Sequence, residues 1–166
     1  MNGRATAKVV VFAVGNPSRG DDAIGSELAR RLADWLQEAE QGEGVEVIED
    51  FQLQIEHALD LAGRDLALFI DAGINTPAPY VFRQIAAAAD SSHTTHALSP
   101  EAVLEVYRRT EADAPPPAFV LCVRGESFEL GEPLSEAAEA HVTKALELLA
   151  GLCREASLDR WKKQAA

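Results

Sequence analysis

The sequence predicts a single α/β domain, built as a three-layer sandwich with a mainly parallel, twisted sheet of about five strands and helices on both faces. Short apolar runs alternate with amphipathic stretches in the order β-α-β-α-β-β-α-β-α, and crossover helices between strands require parallel pairing. The chain has 166 residues, 47% hydrophobic and 25% charged, which suits one soluble domain with one substantial core.

The first half of the chain supplies three strands and two helices. Residues 8–14 form an uninterrupted β-branched run, which indicates a strand buried on both faces. Residues 24–39 carry apolar side chains at helical spacing. Residues 45–48 and 66–70 predict two further short strands, and residues 54–61 predict a short helix between them.

The second half adds two strands and two helices. Residues 80–85 predict a fourth strand, for which an antiparallel edge position is open, and the segment after it is expected to be irregular. Ser99 followed by Pro100 predicts a helix start, because a capping hydroxyl precedes a proline at the first helical position. Residues 118–123 predict the next strand.

The last predicted helix begins after the capping residue Ser135. From Ser157 onward the chain is polar, and we expect a frayed tail. The predicted organisation is therefore one domain over residues 1–156 and a polar tail over residues 157–166.

The charge balance excludes several classes of protein. With 15 Lys and Arg against 27 Asp and Glu, the net charge is −12, which argues against nucleic acid and anionic membrane surfaces as partners. No apolar run approaches the roughly 20 residues of a transmembrane helix, and the start lacks a signal-peptide core. Two cysteines do not make a disulfide scaffold. We expect a cytoplasmic protein, with a monomer as the default.

A glycine-rich loop over residues 15–25 follows the first strand, at the sheet edge where α/β proteins bind ligands. Its glycine spacing is not that of a dinucleotide or P-loop motif. Asp21 and Asp22 would also repel phosphate at the helix N-terminus. Asp50, after the second strand, keeps a nucleotide-binding hypothesis open, behind the others.

Two carboxylates at this position suit a cation better, although one Asp is also explained as a helix cap. Asp71 directly follows the third predicted strand, where a role in a turn is equally common. His93 and His96 precede the Ser99 helix start, as a metal-binding pair or as ordinary loop histidines. A sharper hypothesis joins one histidine to Asp22 and Asp71, which fits a borderline divalent metal with open coordination positions.

Other catalytic patterns are missing from the sequence. It contains no HExxH, no GxSxG and no aspartic-peptidase Asp-Thr-Gly or Asp-Ser-Gly. Cys122 lies inside an apolar strand and Cys153 on an apolar helix face, so both are interpreted as packing residues. His57 and His141 are expected on the surface of helices.

With these positions assembled, the sequence resembles the nickel-iron hydrogenase maturation proteases, the endopeptidases that trim the large-subunit precursor. The segment VVVFAVGNPSRGDDAIG carries the most specific match and puts Asp22 on a metal-ligand position of the family. LALFIDA puts Asp71 on the second such position, and TTHAL, running into a helix, puts His96 on the third in preference to His93. The resemblance extends to about the last helix. Residues 49–54 replace the family's glycine-rich loop, thought to help read the substrate, which suggests a distinct subgroup.

The resemblance implies an α/β sandwich in which Asp22, Asp71 and His96 meet nickel already seated in a hydrogenase precursor. It implies a metal-dependent, aspartate-type endopeptidase that checks for nickel and removes a C-terminal extension. Nickel would act as an anchor and activate water, and Asp21 is one candidate for a catalytic base. The alternative is a non-hydrolytic nickel-binding maturation chaperone that uses the same ligands.

Overall fold

The computed structural model describes residues 7–89, 97–111 and 113–165. The strands and helices, in chain order, are β1 (Val9–Val14), a 3-10 turn (Gly20–Ala23), α1 (Ile24–Glu38), β2 (Val45–Asp50), a 3-10 helix (Ile55–Leu61), β3 (Leu66–Gly73), β4 (Tyr80–Ile85), α2 (Pro100–Glu111), β5 (Ala118–Arg124), α3 (Glu136–Arg154) and α4 (Leu158–Gln164).

One sheet organises the molecule, with strand order β2-β1-β3-β5-β4. β2, β1, β3 and β5 run parallel to one another, and β4 pairs antiparallel with β5 at the sheet edge. The predicted fold class and the antiparallel edge strand are therefore confirmed. The parallel strands end at the same edge of the sheet, which brings the loops after them together.

Alternate residues of the strands enter two separate cores, one on each face of the sheet. The first core lies against α1, α3 and α4, and the second lies against α2 and the 3-10 helix. In the second core the rings of Phe12 and Phe69, on adjacent strands, stack with centroids 4.9 Å apart. The same alternation determines which face of the sheet carries each strand residue of the site described below.

Helix α1 begins at Ile24, as predicted, but a 3-10 turn that the sequence did not predict precedes it and carries Asp21 and Asp22. Two strands also run further than predicted. β3 continues to Gly73, and Asp71 is paired in register with Cys122 inside the sheet. β2 likewise continues to Asp50. Hydrogen-bonded pairing extended these strands beyond their apolar residues, which alone had set the predicted ends.

The expected frayed tail is wrong. Ser157 caps α4 by accepting a hydrogen bond from the amide of Arg160, and Trp161 is fully buried in the first core. The indole N–H of Trp161 donates to the carbonyl of Leu152 at 3.0 Å, and its ring packs edge-to-face on Phe119. One tryptophan buries enough apolar surface to dock a short polar helix, so α4 shares the core of the domain.

In the described ranges, no helix combines the length and the apolar character that crossing a membrane requires. Residues 86–89 have no regular structure, as expected.

Candidate active site

Close approach of α1 to β1 positions Asp22. A Cβ at Gly25 would lie 2.4 Å from the carbonyl oxygen of Val14, and a Cβ at Gly15, where φ is +146°, would lie 2.2 Å from the carbonyl oxygen of Asp22. Only glycine permits both approaches. The Asp22 carboxylate then accepts a hydrogen bond from the amide of Asn16 through Oδ2 at 2.9 Å.

Asp71 lies on the β3 face that also carries Phe69, directly beside Cys122 of β5. Its Oδ1 accepts a hydrogen bond from the amide of Ala72 at 2.7 Å. The surrounding groups displace water from the Asp71 carboxyl, and this raises its pKa to about 6. The nearby charge of Asp22 adds to the rise, and the hydrogen bond from Ala72 opposes it. The two carboxylates are thus close enough to repel each other.

A cavity of about 500 Å³ opens at the carboxyl edge of the sheet, and both Asp22 and Asp71 line it. Apolar strand residues and the segments 51–53 and 97–100 form most of the rest of its wall. Among the described residues, Asp22 Oδ1 and Asp71 Oδ2 receive no hydrogen bond. A cavity with two such oxygens is suited chemically to binding a cation.

The third predicted ligand, His96, lies outside the described residues, as does the alternative His93. Ala97, which follows His96 in the chain, lines the cavity. Within residues 7–89, 97–111 and 113–165, no group of three His, Cys, Asp or Glu side chains is gathered as a metal site. The described part of the site therefore consists of the two carboxylates.

Asp21, the predicted candidate for a base, does not line the cavity. It is fully buried, and its carboxylate accepts hydrogen bonds from the amides of Glu126, Ser127 and Ser135 and from the Ser135 hydroxyl, at 2.7 to 3.2 Å. Burial by itself would raise the pKa of Asp21, but these hydrogen bonds together hold it below its usual value. The contacts favour a structural role, and the role of base stays a prediction.

Two further residues line the cavity: Cys122, which the sequence indicated as a packing residue, and Arg83, which no sequence pattern indicated. Cys122 is half-buried at the wall, with its Sγ 3.0 Å from the Thr76 hydroxyl, and burial raises the pKa of this thiol. A protonated thiol is a poor nucleophile, and Cys122 packs against the second core, which agrees with the packing role that its apolar strand predicted. Arg83 of β4 lines the same cavity. Neither residue follows a strand in the sequence, and strand pairing is what brings them to the site.

The histidines expected on the surface are placed differently. His57 is buried, and its Nδ1 accepts a hydrogen bond from the amide of Gln54, so the proton of the neutral ring is on Nε2, which faces Asp50 at 3.3 Å. His141 is half-buried, with Nδ1 2.9 Å from the carbonyl oxygen of Arg124. The surface interpretation is wrong for His57 because the 3-10 helix turns this side chain onto the ring of Phe12.

Fold and site together define a class: an α/β sandwich with a pair of carboxylates in a cavity at the carboxyl edge of its sheet. No protein-family model matches the chain, and no curated protein matches it. Solved structures do. The hydrogenase maturating endopeptidase HybD from E. coli matches with a TM-score of 0.69 and 25% identity, covering 90% of this chain and 94% of that one.

Two further structures support this match. The solution structure of an endopeptidase from Escherichia coli matches with a TM-score of 0.67 and 26% identity, over 90% of this chain and 94% of that one. The nickel-iron hydrogenase maturation protease HycI from Thermococcus kodakarensis KOD1 has a TM-score of 0.69 and 21% identity over the same shares. The resemblance found in the sequence is confirmed, and the chain has the fold of the nickel-iron hydrogenase maturation proteases.

Proposed function

We propose that this protein is an endopeptidase that removes the C-terminal extension of a nickel-loaded nickel-iron hydrogenase large-subunit precursor. The observation that carries the proposal is the convergence of Asp22 and Asp71, about 50 residues apart in the chain, on one cavity. The likeness to HybD and to a second endopeptidase from E. coli supports it, since both extend over 90% of the chain.

Nickel is part of the substrate in this proposal, because the precursor brings it. Asp22, Asp71 and His96 would contact the ion, and carboxylate oxygens with an imidazole suit a borderline divalent metal. The two carboxylates repel each other in the free protein, which is one reason for the raised pKa of Asp71. A cation from the partner relieves this repulsion, so a loaded precursor binds more tightly than an empty one.

The carboxylate oxygens that accept no hydrogen bond from the described residues are the groups through which the protein would contribute to cleavage. By holding the nickel-bearing end of the precursor, Asp22 and Asp71 would fix the scissile bond in one orientation and make attack effectively intramolecular. The bound ion supplies Lewis acidity toward a carbonyl or a water molecule. Asp21 would act indirectly, because its buried hydrogen bonds hold the turn that carries Asp22. The net charge of −12 also favours a basic surface on the precursor.

A processing assay tests the proposal with nickel-loaded and nickel-free precursor. Asp22→Asn, Asp71→Asn and His96→Gln should each lower the rate by about 100-fold or more, since losing a ligand removes several kcal/mol of charge stabilisation. Asp34→Asn is the matched control, because the Asp34 side chain lies on α1 and is 66% exposed. It should process at the normal rate.

Two results would overturn the proposal. Normal processing by all three ligand variants would remove the site, and equal processing with and without nickel would remove the nickel check. A wild-type protein that binds loaded precursor without shortening it would instead establish the chaperone alternative.

A further inference from the structure

Arg83 is the cation in the wall of a mainly apolar cavity that also carries two carboxylates. Of the described residues that line this cavity, it alone carries a positive side chain, opposite in charge to Asp22 and Asp71. The protein has a net charge of −12, so a positive side chain in the same cavity as two carboxylates suggests a function for that charge.

Strand register brings Arg83 there. Arg83 pairs with Val120 of β5, and Val120 and Cys122 occupy the same sheet face, two residues apart. Cys122 in turn pairs with Asp71. The three strands therefore place Asp71 and Cys122 side by side and Arg83 diagonally across from Cys122 on the same face, with the cation at the edge-strand end.

The charge of Arg83 is not consumed by a strong partner. Its Nη2 lies 3.8 Å from Glu101 Oε2, the side chains are 49% and 29% exposed, and an ion pair this long and this open contributes little. The guanidinium is thus available to a ligand in the cavity.

We propose that Arg83 binds a carboxylate of the C-terminal extension while the rest of the substrate occupies the Asp22–Asp71 side of the cavity. The inference rests on the proposed function and deepens it by naming a specificity-determining residue. A guanidinium matches a carboxylate with two parallel hydrogen bonds, which a peptide amide or an apolar side chain does not use. Without Arg83, an acidic extension would meet only the repulsion of the two aspartates.

The carboxylate has two possible sources, the terminal α-carboxylate or an Asp or Glu side chain of the extension. Three nickel-loaded precursors separate them: the native one, one amidated at its C-terminus by peptide ligation, and one whose acidic extension side chains are changed to amides. Each is assayed with wild type, Arg83→Gln and Arg83→Lys. Arg30→Gln is the control, because Arg30 is an exposed arginine on α1 paired with Glu27.

Arg83→Gln should raise KM for native precursor about tenfold with kcat within about twofold, because a charge-assisted contact to bound substrate is lost. Arg83→Lys should recover part of the loss and Arg30→Gln should behave as wild type. With one of the two altered precursors, the KM of the wild type should rise by the same factor, and Arg83→Gln should raise KM no further. That precursor identifies which carboxylate Arg83 binds.

An unchanged KM for Arg83→Gln, or an effect that persists with both altered precursors, would overturn the inference and leave Arg83 as a charge that protects an edge strand. If wild type cleaves none of the precursors, the proposed function fails instead. Fluorescence anisotropy with labelled precursor then makes the same comparison through Kd, and equal Kd values for wild type and Arg83→Gln would again reject the assignment.

Discussion

Asp21 and Asp22 are neighbours in the chain, yet their carboxylates have opposite surroundings. We call Asp21 with its partner loop, residues 126–135, the buried anchor, and Asp22 with Asp71 the open carboxylate pair. Asp21 has no exposed surface and accepts four hydrogen bonds, while Asp22 is half-buried, accepts one from Asn16 and faces a cavity. A carboxylate whose hydrogen-bonding capacity is filled stabilises the fold, and one with a free oxygen remains available to a ligand.

The two regions are nevertheless coupled. The amide of Asp21 donates to the carbonyl of Ser127, and the amide of Gly20 donates to the carbonyl of Glu132, so both sides of the 3-10 turn are fixed to one loop. Because Asp22 follows in the same turn, the buried anchor determines where its carboxylate lies. The structural carboxylate thus supports the open one.

The largest expected effect is on the buried anchor. Asp21→Asn should lower the free energy of unfolding by about 3 kcal/mol or more, because the new amide group faces backbone donors and removes a charge from strong hydrogen bonds. Urea denaturation measures the change. Asp22→Asn is the adjacent control and should change the stability by less than about 0.5 kcal/mol.

The pH dependence sharpens this comparison. The pKa of Asp21 is held below its usual value, so the stability it contributes is present above the unfolded-state pKa near 3.8 and is lost as pH falls through the lower folded-state value. The difference between wild type and Asp21→Asn should therefore narrow below about pH 4. Equal stability losses for Asp21→Asn and Asp22→Asn at pH 7 would contradict the distinction.

A smaller effect is expected at Ser135, which joins the buried anchor to α3. Its hydroxyl donates to Asp21 Oδ2 at 2.7 Å and accepts from the amide of Ala138 at 3.1 Å, so one group serves both the carboxylate and the helix cap. Ser135→Ala should lower the free energy of unfolding by about 1–2 kcal/mol, measured by thermal unfolding. Ser135→Thr keeps the hydroxyl and should therefore keep most of the wild-type stability. A loss as large as that of Asp21→Asn would mean that the hydroxyl, rather than the backbone amides, dominates the anchor.

The difference between the two regions also explains what the sequence could predict. Asp22 and Asp71 were found because each stands near the end of an apolar strand, and parallel strands end at a common edge. The separation of Asp21 from Asp22 was not predictable, since it depends on Ser135, 114 residues further along the chain. The places of Arg83 and Cys122 at the cavity wall were not predictable for the same reason, because they follow from strand pairing.

The fold itself was largely predictable because apolar runs and amphipathic periodicity are local signals. The prediction of a frayed tail was wrong because only one apolar residue in the tail, Trp161, indicates that it is docked. Trp161 stands among charged neighbours in α4, and only its edge-to-face packing on the stacked rings of Phe82 and Phe119 in the first core shows that it is buried. A helix of seven residues is too short for its apolar spacing to predict that it packs on the core.

The smallest predicted effect concerns the open carboxylate pair and has the opposite sign from that of Asp21. The pKa of Asp71 is raised from 3.8 to about 6, so between these pH values the folded state binds more protons than the unfolded state, and the wild type loses stability as pH rises. Asn does not ionise. Asp71→Asn should therefore stabilise the metal-free protein at pH 7.5, by on the order of 1 kcal/mol once screening of this exposed carboxyl by water is allowed for.

Thermal unfolding of wild type and Asp71→Asn between pH 4 and 8 measures this gain, which should be largest above pH 6 and shrink toward pH 4. Asp34→Asn, on the exposed side of α1, should show no such trend. A difference between wild type and Asp71→Asn that stays constant over the whole range would mean that packing of the amide, rather than ionisation of Asp71, sets its stability. A gain that follows pH would show that the open carboxylate pair is held ionised at a cost, which a bound cation offsets.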